Sequence, residues 1–100
     1  MTKGEQMLID LGYTLEEKFY SKLFRKKNYV IEFDIDIVIE FDLEIKKVCC
    51  YESSSFYYDI YKCDFEEIQA IHQIMIDYGW NKDVNETIEY ADQSGLASAT

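Results

Sequence analysis

The sequence predicts an α+β fold: an N-terminal helix, an antiparallel sheet of three to four strands, and a C-terminal helix followed by a short acidic helix. Apolar residues alternate with other residues from 29 to 45, an apolar stripe of helical period follows Asp64, and the connections are short. One hundred residues, 48% of them apolar, suffice for one core. We therefore expect a single domain over residues 1–92 and a flexible tail over 93–100.

The first quarter of the chain contains one helix and one ambiguous segment. The apolar stripe of Met7, Leu8 and Leu11 stops at Gly12, which predicts a helix over residues 3–11. Between 14 and 27, the spacing of Thr14 and Glu17 is typical of a capping box and favours a second helix. The Phe and Tyr content of residues 19–26 also suits a strand, and the sequence leaves that alternative open.

The alternating run from 29 to 45 predicts strand structure with one buried face. Fully extended it would span about 56 Å, far more than the radius of gyration of about 13 Å expected for this chain length. The run must therefore bend, bulge or split. A turn near 42–47, a strand over 46–52, a serine loop at 53–55 and an edge strand within 56–63 follow.

The last predicted elements are helical. Asp64 and Glu67 have capping-box spacing, and the apolar stripe that follows ends where Gly79 precedes Trp80. Residues 83–92 are expected to form a final short acidic helix.

Charge restricts the classes of partner. The chain has 10 basic and 20 acidic residues and a net charge of -10; residues 28–92 carry -12, and residues 1–27 carry +2. Such a surface repels phosphates and anionic lipids, so we expect a basic protein partner and neither direct nucleic-acid binding nor membrane binding. An odd number of cysteines, three, and the absence of a long apolar stretch predict a cytoplasmic location.

One face of the alternating run is a row of carboxylates. Its members, at i, i+2 spacing interrupted only by Val38, are Glu32, Asp34, Asp36, Glu40, Asp42 and Glu44. Neighbours on one strand face lie about 6.6 Å apart, a scale comparable to that of phosphates along a nucleic acid. We expect the row to face water without compensating charges and to mimic DNA; the alternative is a solvated face that prevents edge-to-edge aggregation.

Catalytic and metal chemistry find little support in the sequence. Carboxylates on an exposed strand face lack the desolvated pocket that separates the pKa values of an acid and a base. His72 is the only histidine, and the cysteines lack paired C-x-x-C spacing. We expect a protein that is not an enzyme and has no metal, no cofactor and no small-molecule substrate.

Aromatic residues cluster around the serine loop. They are Tyr51, Phe56, Tyr57, Tyr58 and Tyr61. Some of them must be core residues, but tyrosine beside carboxylates is also common in contact surfaces. Tyr57 and Tyr58 are therefore candidate partner-binding residues.

The order of elements resembles that of small acidic proteins encoded by phages and prophages of Gram-positive bacteria. It is also similar to anti-CRISPR inhibitors of RNA-guided nucleases, in which a Gly-Trp-Asn junction precedes an acidic segment; here Gly79, Trp80 and Asn81 precede Asp83 and Glu86. The resemblance implies a phage-encoded inhibitor that acts in the bacterial host cytoplasm and presents carboxylates to the positive channel of a nuclease. It adds Trp80, Asp83 and Glu86 to the expected contact residues. The alternative is a phage accessory module that binds a partner through the tyrosine-rich patch.

Overall fold

A five-stranded antiparallel sheet with two helices on one face forms the body of the protein. The computed structural model describes residues 1–28 and 34–80, and the strand order in the sheet is the order along the chain. The elements are α1 (Lys3–Asp10), β1 (Thr14–Glu17), β2 (Ser21–Asn28), β3 (Ile35–Asp42), β4 (Lys47–Ser54), β5 (Tyr57–Ile60) and α2 (Phe65–Asp77). The α+β class and both long helices are confirmed; the predicted acidic helix at 83–92 and the tail lie outside the described residues.

The helix predicted for residues 14–27 is wrong, and the strand alternative is correct. This segment supplies β1 and β2, which pair as a hairpin with Leu15 opposite Phe24. The expected strand period is hidden because Leu23 and Phe24 are both buried, on opposite faces of the sheet. These two extra strands explain why the sheet has five strands instead of three or four.

The alternating run does not continue to residue 45. Strand β3 ends at Asp42, whose Oδ1 accepts hydrogen bonds from the backbone N–H groups of Glu44 (3.0 Å) and Ile45 (3.1 Å). Lys46 then takes a positive φ of 55°, and β4 returns antiparallel to β3. The predicted turn near 42–47 is confirmed, whereas the first part of the run, residues 29–33, lies outside the described residues.

The serine segment is mostly strand rather than loop. Ser53 and Ser54 belong to β4, where they pair with Tyr58 and Tyr57, and only Ser55 and Phe56 form the turn. Strand β5 pairs with β4 alone among the described strands, so the predicted edge strand is confirmed, with narrower bounds.

The hydrophobic core lies between the helices and the central strands. Its helical members are Leu8, Ala70 and Ile74, and its members from the sheet are Phe24, Ile37, Ile39 and Phe41. At the odd positions of β3, Ile37, Ile39 and Phe41 are therefore buried as the alternating pattern predicted, and Ile35 at the start of the strand is partly buried. Neither described helix is long and apolar enough to cross a membrane.

Helices α1 and α2 touch at Gly4. The Gly4 N–H donates to Asp77 Oδ2 at 2.7 Å, so the start of α1 lies against the end of α2. A Cβ atom at position 4 would lie 2.5 Å from Ile74 N and 2.6 Å from Ile74 Cγ1. Glycine is required here because the two helix backbones leave no space for a side chain.

We predict that Gly4→Ala destabilises the protein. The helices must separate to accommodate the methyl group, which should lower the free energy of unfolding by about 2 kcal/mol or more. Urea unfolding followed by circular dichroism measures this loss. Lys3→Ala, a change at the exposed neighbouring position, is the matched control and should shift stability by no more than about 0.5 kcal/mol. Equal unfolding midpoints for the two variants would contradict the packing described here.

Candidate protein-interaction surface

The side of the sheet away from the helices, here called the open face, carries the even positions of β3. Asp36, Val38, Glu40 and Asp42 share it because neighbouring residues of a strand alternate between faces. Val38 has no exposed surface although it lies on this side. The open face is thus not a continuous row of carboxylates, because it contains a buried apolar residue.

The carboxylates near the start of β3 are compensated by basic residues of β2. Lys27 Nζ lies 2.9 Å from Asp36 Oδ1 and 3.6 Å from Asp34 Oδ2. Arg25 bridges Glu16 at 2.8 Å and Asp36 at 3.8 Å, and the hydrogen bond that Lys27 donates to Asp36 raises the pKa of Lys27. The expectation of an uncompensated row is therefore wrong for Asp34 and Asp36. The sequence could not reveal these ion pairs, because they form only where β2 pairs with β3.

The remaining predicted carboxylates have different surroundings. Glu40 accepts a hydrogen bond from the Tyr51 hydroxyl at 3.2 Å, Asp42 holds the β3–β4 turn, and Glu44 is exposed within that turn. Glu32 lies outside the described residues. Of the predicted row, Glu40, Asp42 and Glu44 are thus the described members that take part in none of the ion pairs of residues 1–28 and 34–80.

Exposed apolar and aromatic side chains concentrate on β5 and its turn. We call Phe56, Tyr57, Tyr58 and Ile60 the β5 surface; Phe56 is fully exposed, Tyr58 is 71% exposed and Ile60 is 77% exposed. The Tyr58 ring packs on Tyr51 at a centroid distance of 5.3 Å, and the Tyr57 hydroxyl donates to Asp59 at 3.2 Å. The two tyrosines predicted from sequence therefore lie together on an edge strand.

Trp80 belongs to the core instead of the surface. It is only 8% exposed, and its ring centroid lies 6.1 Å from that of Phe41 and 6.0 Å from that of Tyr78. We therefore leave Trp80 out of the contact surface. Asp83 and Glu86 lie outside the described residues.

A shallow depression near the start of β1 is lined by basic side chains that already have partners. Its lining includes Arg25, Lys26 and Lys27 together with Asp36. Lys26 Nζ donates to the Leu11 carbonyl at 3.2 Å, and the other two cations pair with carboxylates. Because these charges are occupied, the depression offers little attraction to an anion.

Of the two buried carboxylates, the sequence analysis missed Glu5 and identified Glu67 only as a residue that caps a helix. Glu5 is the N3 residue of a capping box: its Oε1 accepts the Thr2 N–H at 2.8 Å. Its Oε2 accepts from Lys22 Nζ and the Tyr78 hydroxyl, both at 2.8 Å. Burial opposes ionisation of Glu5, but these hydrogen bonds outweigh it and lower the pKa to about 2. The signal that could have revealed it is the spacing of Thr2 and Glu5.

Glu67 repeats this arrangement at the start of α2. Its Oε1 accepts the Asp64 N–H at 2.9 Å and the Tyr61 hydroxyl at 2.7 Å, and its Oε2 accepts the Tyr13 hydroxyl. Burial and the bond to Glu67 raise the pKa of Tyr13 above its ordinary value. Each glutamate thus accepts three hydrogen bonds from different parts of the chain, and these bonds hold the fold together.

The described part of the chain brings together no three His, Cys, Asp or Glu side chains able to hold a metal ion. Comparisons with protein-family models, with curated proteins and with solved structures gave no match. The case for function therefore depends on the surface geometry alone.

We predict that acid weakens the fold through Glu5. A folded-state pKa of about 2, below the ordinary 4.5, means that the stabilisation by Glu5 is complete above about pH 5 and is lost as the pH falls. Between pH 6 and pH 3 the loss should be about 2 kcal/mol. The free energy of unfolding, measured with urea across this range, should depend less steeply on pH in Glu5→Gln than in the wild type, because glutamine has no charge to lose. If the free energy of unfolding falls equally with pH in the variant and the wild type, Glu5 is not the source of the acid sensitivity.

Proposed function

We propose that the protein is a non-enzymatic binding protein that contacts a basic partner protein through the β5 surface. The observation that carries this proposal is the concentration of Phe56, Tyr58 and Ile60, all largely exposed, on one edge of the sheet. Single exposed apolar residues are ordinary, but a contiguous group of them commonly marks an interaction site. Aromatic side chains are also the residues that most often dominate binding energy.

The edge position of β5 supports the same function. Only β4 pairs with β5 in the described sheet, so the outer backbone groups of Tyr57–Ile60 have no neighbouring strand there. An extended segment of a partner can pair with such an edge by main-chain hydrogen bonds while alternate side chains contact Tyr58 and Ile60. Natural proteins usually protect edges with charge or proline, and β5 has one charged residue and no proline.

The charge of the protein favours a basic partner over self-association. Residues 51–60 contain Glu52 and Asp59 and no basic side chain, and the whole chain has a net charge of -10. Two copies would therefore repel each other at this edge, whereas a lysine- or arginine-rich segment would be attracted. The proposed setting is the cytoplasm of a bacterium that carries a phage or prophage, as the resemblance in element order implies.

We predict that the triple variant Phe56→Ala/Tyr58→Ala/Ile60→Ala loses partner binding by at least about tenfold, because each anchor contributes on the order of 1 kcal/mol or more. The measurement is capture of host proteins on immobilised wild type and variants, followed by titration of the captured partner.

The matched control is Phe19→Ala/Ile45→Ala, which removes two exposed apolar side chains near the β1–β2 and β3–β4 turns, away from β5. The control should bind like the wild type. A partner that binds all three proteins equally would exclude the β5 surface as the contact.

A second candidate function is inhibition of a nucleic-acid-binding protein, such as a CRISPR nuclease, by an acidic DNA-mimicking surface. Its support is the net charge of -10 and the absence of Glu40, Asp42 and Glu44 from the ion pairs of the described residues. Carboxylates can occupy the arginines with which such nucleases contact DNA. The pairing of Asp34 and Asp36 with β2 weakens this candidate relative to the first.

For the inhibitor function we predict that purified protein reduces DNA binding by an RNA-guided nuclease at 50 mM salt and much less at 300 mM, about a tenfold difference or more. Glu40→Gln/Glu44→Gln should weaken the inhibition, and the triple β5 variant should leave it unchanged. No inhibition at the lower salt concentration would rule out DNA mimicry, because ion pairing is strongest there.

A further inference from the structure

Two neighbouring turns at one end of the sheet expose a second group of apolar side chains. The β1–β2 turn carries Phe19, which is 87% exposed, and Tyr20, which is more than half exposed. The β3–β4 turn carries Leu43 and Ile45, which are also exposed. We call these four residues the turn-end surface. The function proposed above assigns none of them a role.

The two turns lie side by side and form one patch. The rings of Phe19 and Tyr20 meet edge to face, with centroids 4.5 Å apart. The Leu43 N–H donates to the Tyr20 carbonyl at 2.9 Å, so the backbones of the two turns are joined. The register of the sheet places them there, because Ser21 at the start of β2 pairs with Asp42 at the end of β3. A contiguous apolar group of this kind commonly marks an interaction site.

The charge around the turn-end surface differs from that of the rest of the chain. Residues 17–22 and 42–47 contain four basic and three acidic side chains, a net charge of +1, so the remaining residues carry -11. A second copy that approaches this end meets no local excess of negative charge, in contrast to the acidic β5 surface. The charges farther away are screened, because the Debye length is about 8 Å at physiological salt.

We propose that the turn-end surface is the contact through which two copies of this chain associate as a weak, two-fold symmetric dimer. In such a contact the same patch serves on both copies, so it must be complementary to itself. Its charges meet this condition. Glu44 and Lys47 are both exposed and take part in none of the ion pairs of the described residues, so Glu44 of one copy pairs with Lys47 of the other.

The size of the patch sets the strength of the dimer. Since an aromatic side chain has about 200 Å² of surface, the exposed parts of Phe19 and Tyr20 provide about 300 Å² per copy. Leu43 and Ile45 bring the total for two copies to about 1,000 Å², which is in the range of weak, transient interfaces. We therefore expect monomers at low micromolar concentration and dimers at several hundred micromolar.

The dimer leaves the β5 surface accessible. Strand β4, which has eight residues and is therefore about 25 Å long, separates the β3–β4 turn from Phe56 in the β4–β5 turn. Each copy of the dimer can thus bind its own partner molecule through β5. The inference goes beyond the proposed function and does not depend on it, so the failure of one leaves the other intact.

Sedimentation equilibrium measures the association directly. The average mass of the wild type should rise from 11.9 kDa at about 5 µM towards twice that value at about 500 µM. Phe19→Ala/Ile45→Ala should raise the dissociation constant at least about tenfold, because it removes two of the four apolar side chains of the contact. The triple β5 variant is the matched control: it also removes exposed apolar side chains, and it should dimerise like the wild type.

Salt provides a second readout with a defined sign. Raising the salt concentration from about 50 mM to about 300 mM screens the repulsion between two chains of net charge -10, so the dimer should become stronger. Binding of a basic partner should become weaker over the same range, because it depends on attraction between opposite charges.

Three results would overturn the proposal. One is a wild type that keeps the mass of a monomer at about 500 µM. Another is a dimer that is lost in the triple β5 variant and retained in Phe19→Ala/Ile45→Ala, which would place the contact at β5. The third is a dimer that weakens as salt is added, since ion pairs and not the apolar patch would then hold the two copies together.

Discussion

The fold depends on two carboxylates that are buried yet fully hydrogen-bonded. Glu5 and Glu67 each cap the start of a helix with one oxygen and bind sheet or helix side chains with the other. A carboxyl group away from water is costly unless it is hydrogen-bonded, so each glutamate restricts where its partners can lie. Glu5 ties α1 to Lys22 of β2 and to Tyr78 beyond α2, and Glu67 ties α2 to Tyr13, just before β1. Through these contacts the two described helices are both held on one face of the sheet.

Much of the architecture was readable in the sequence where one periodicity dominates. Helix α2, with Asp64 and Glu67 at its start, was predicted with nearly correct bounds, and β3 lies inside the alternating run of 29–45, although the sequence did not show where that run breaks. For the segment that forms β1 and β2, the sequence favoured a helix. Thr14 and Glu17 have the spacing of a helix start, and the burial of both Leu23 and Phe24 obscures the alternation of a strand. Local pattern cannot reveal which faces of a strand the rest of the chain will cover.

The candidate site was only partly predictable for a related reason. Tyr57 and Tyr58 could be identified by composition, since aromatic residues beside carboxylates suggest a contact surface. The sequence shows how many carboxylates β3 contains, but it does not show which residues lie beside them. Lys27 and Arg25 pair with Asp36 only because β2 and β3 pair in this register. Trp80 illustrates the same limit, since its burial against Phe41 depends on how the end of α2 meets the sheet.

The strand order also bears on how the chain reaches its native state. Every strand pairs with its neighbour in sequence, so the hairpins of the meander close short loops and can form early at little entropic cost. The docking of α1 on α2 at Gly4 and Asp77 is different, because it joins residues 73 positions apart. Closure of the helical layer should therefore be the late step of folding, and until it occurs the apolar face of the sheet remains exposed to other chains.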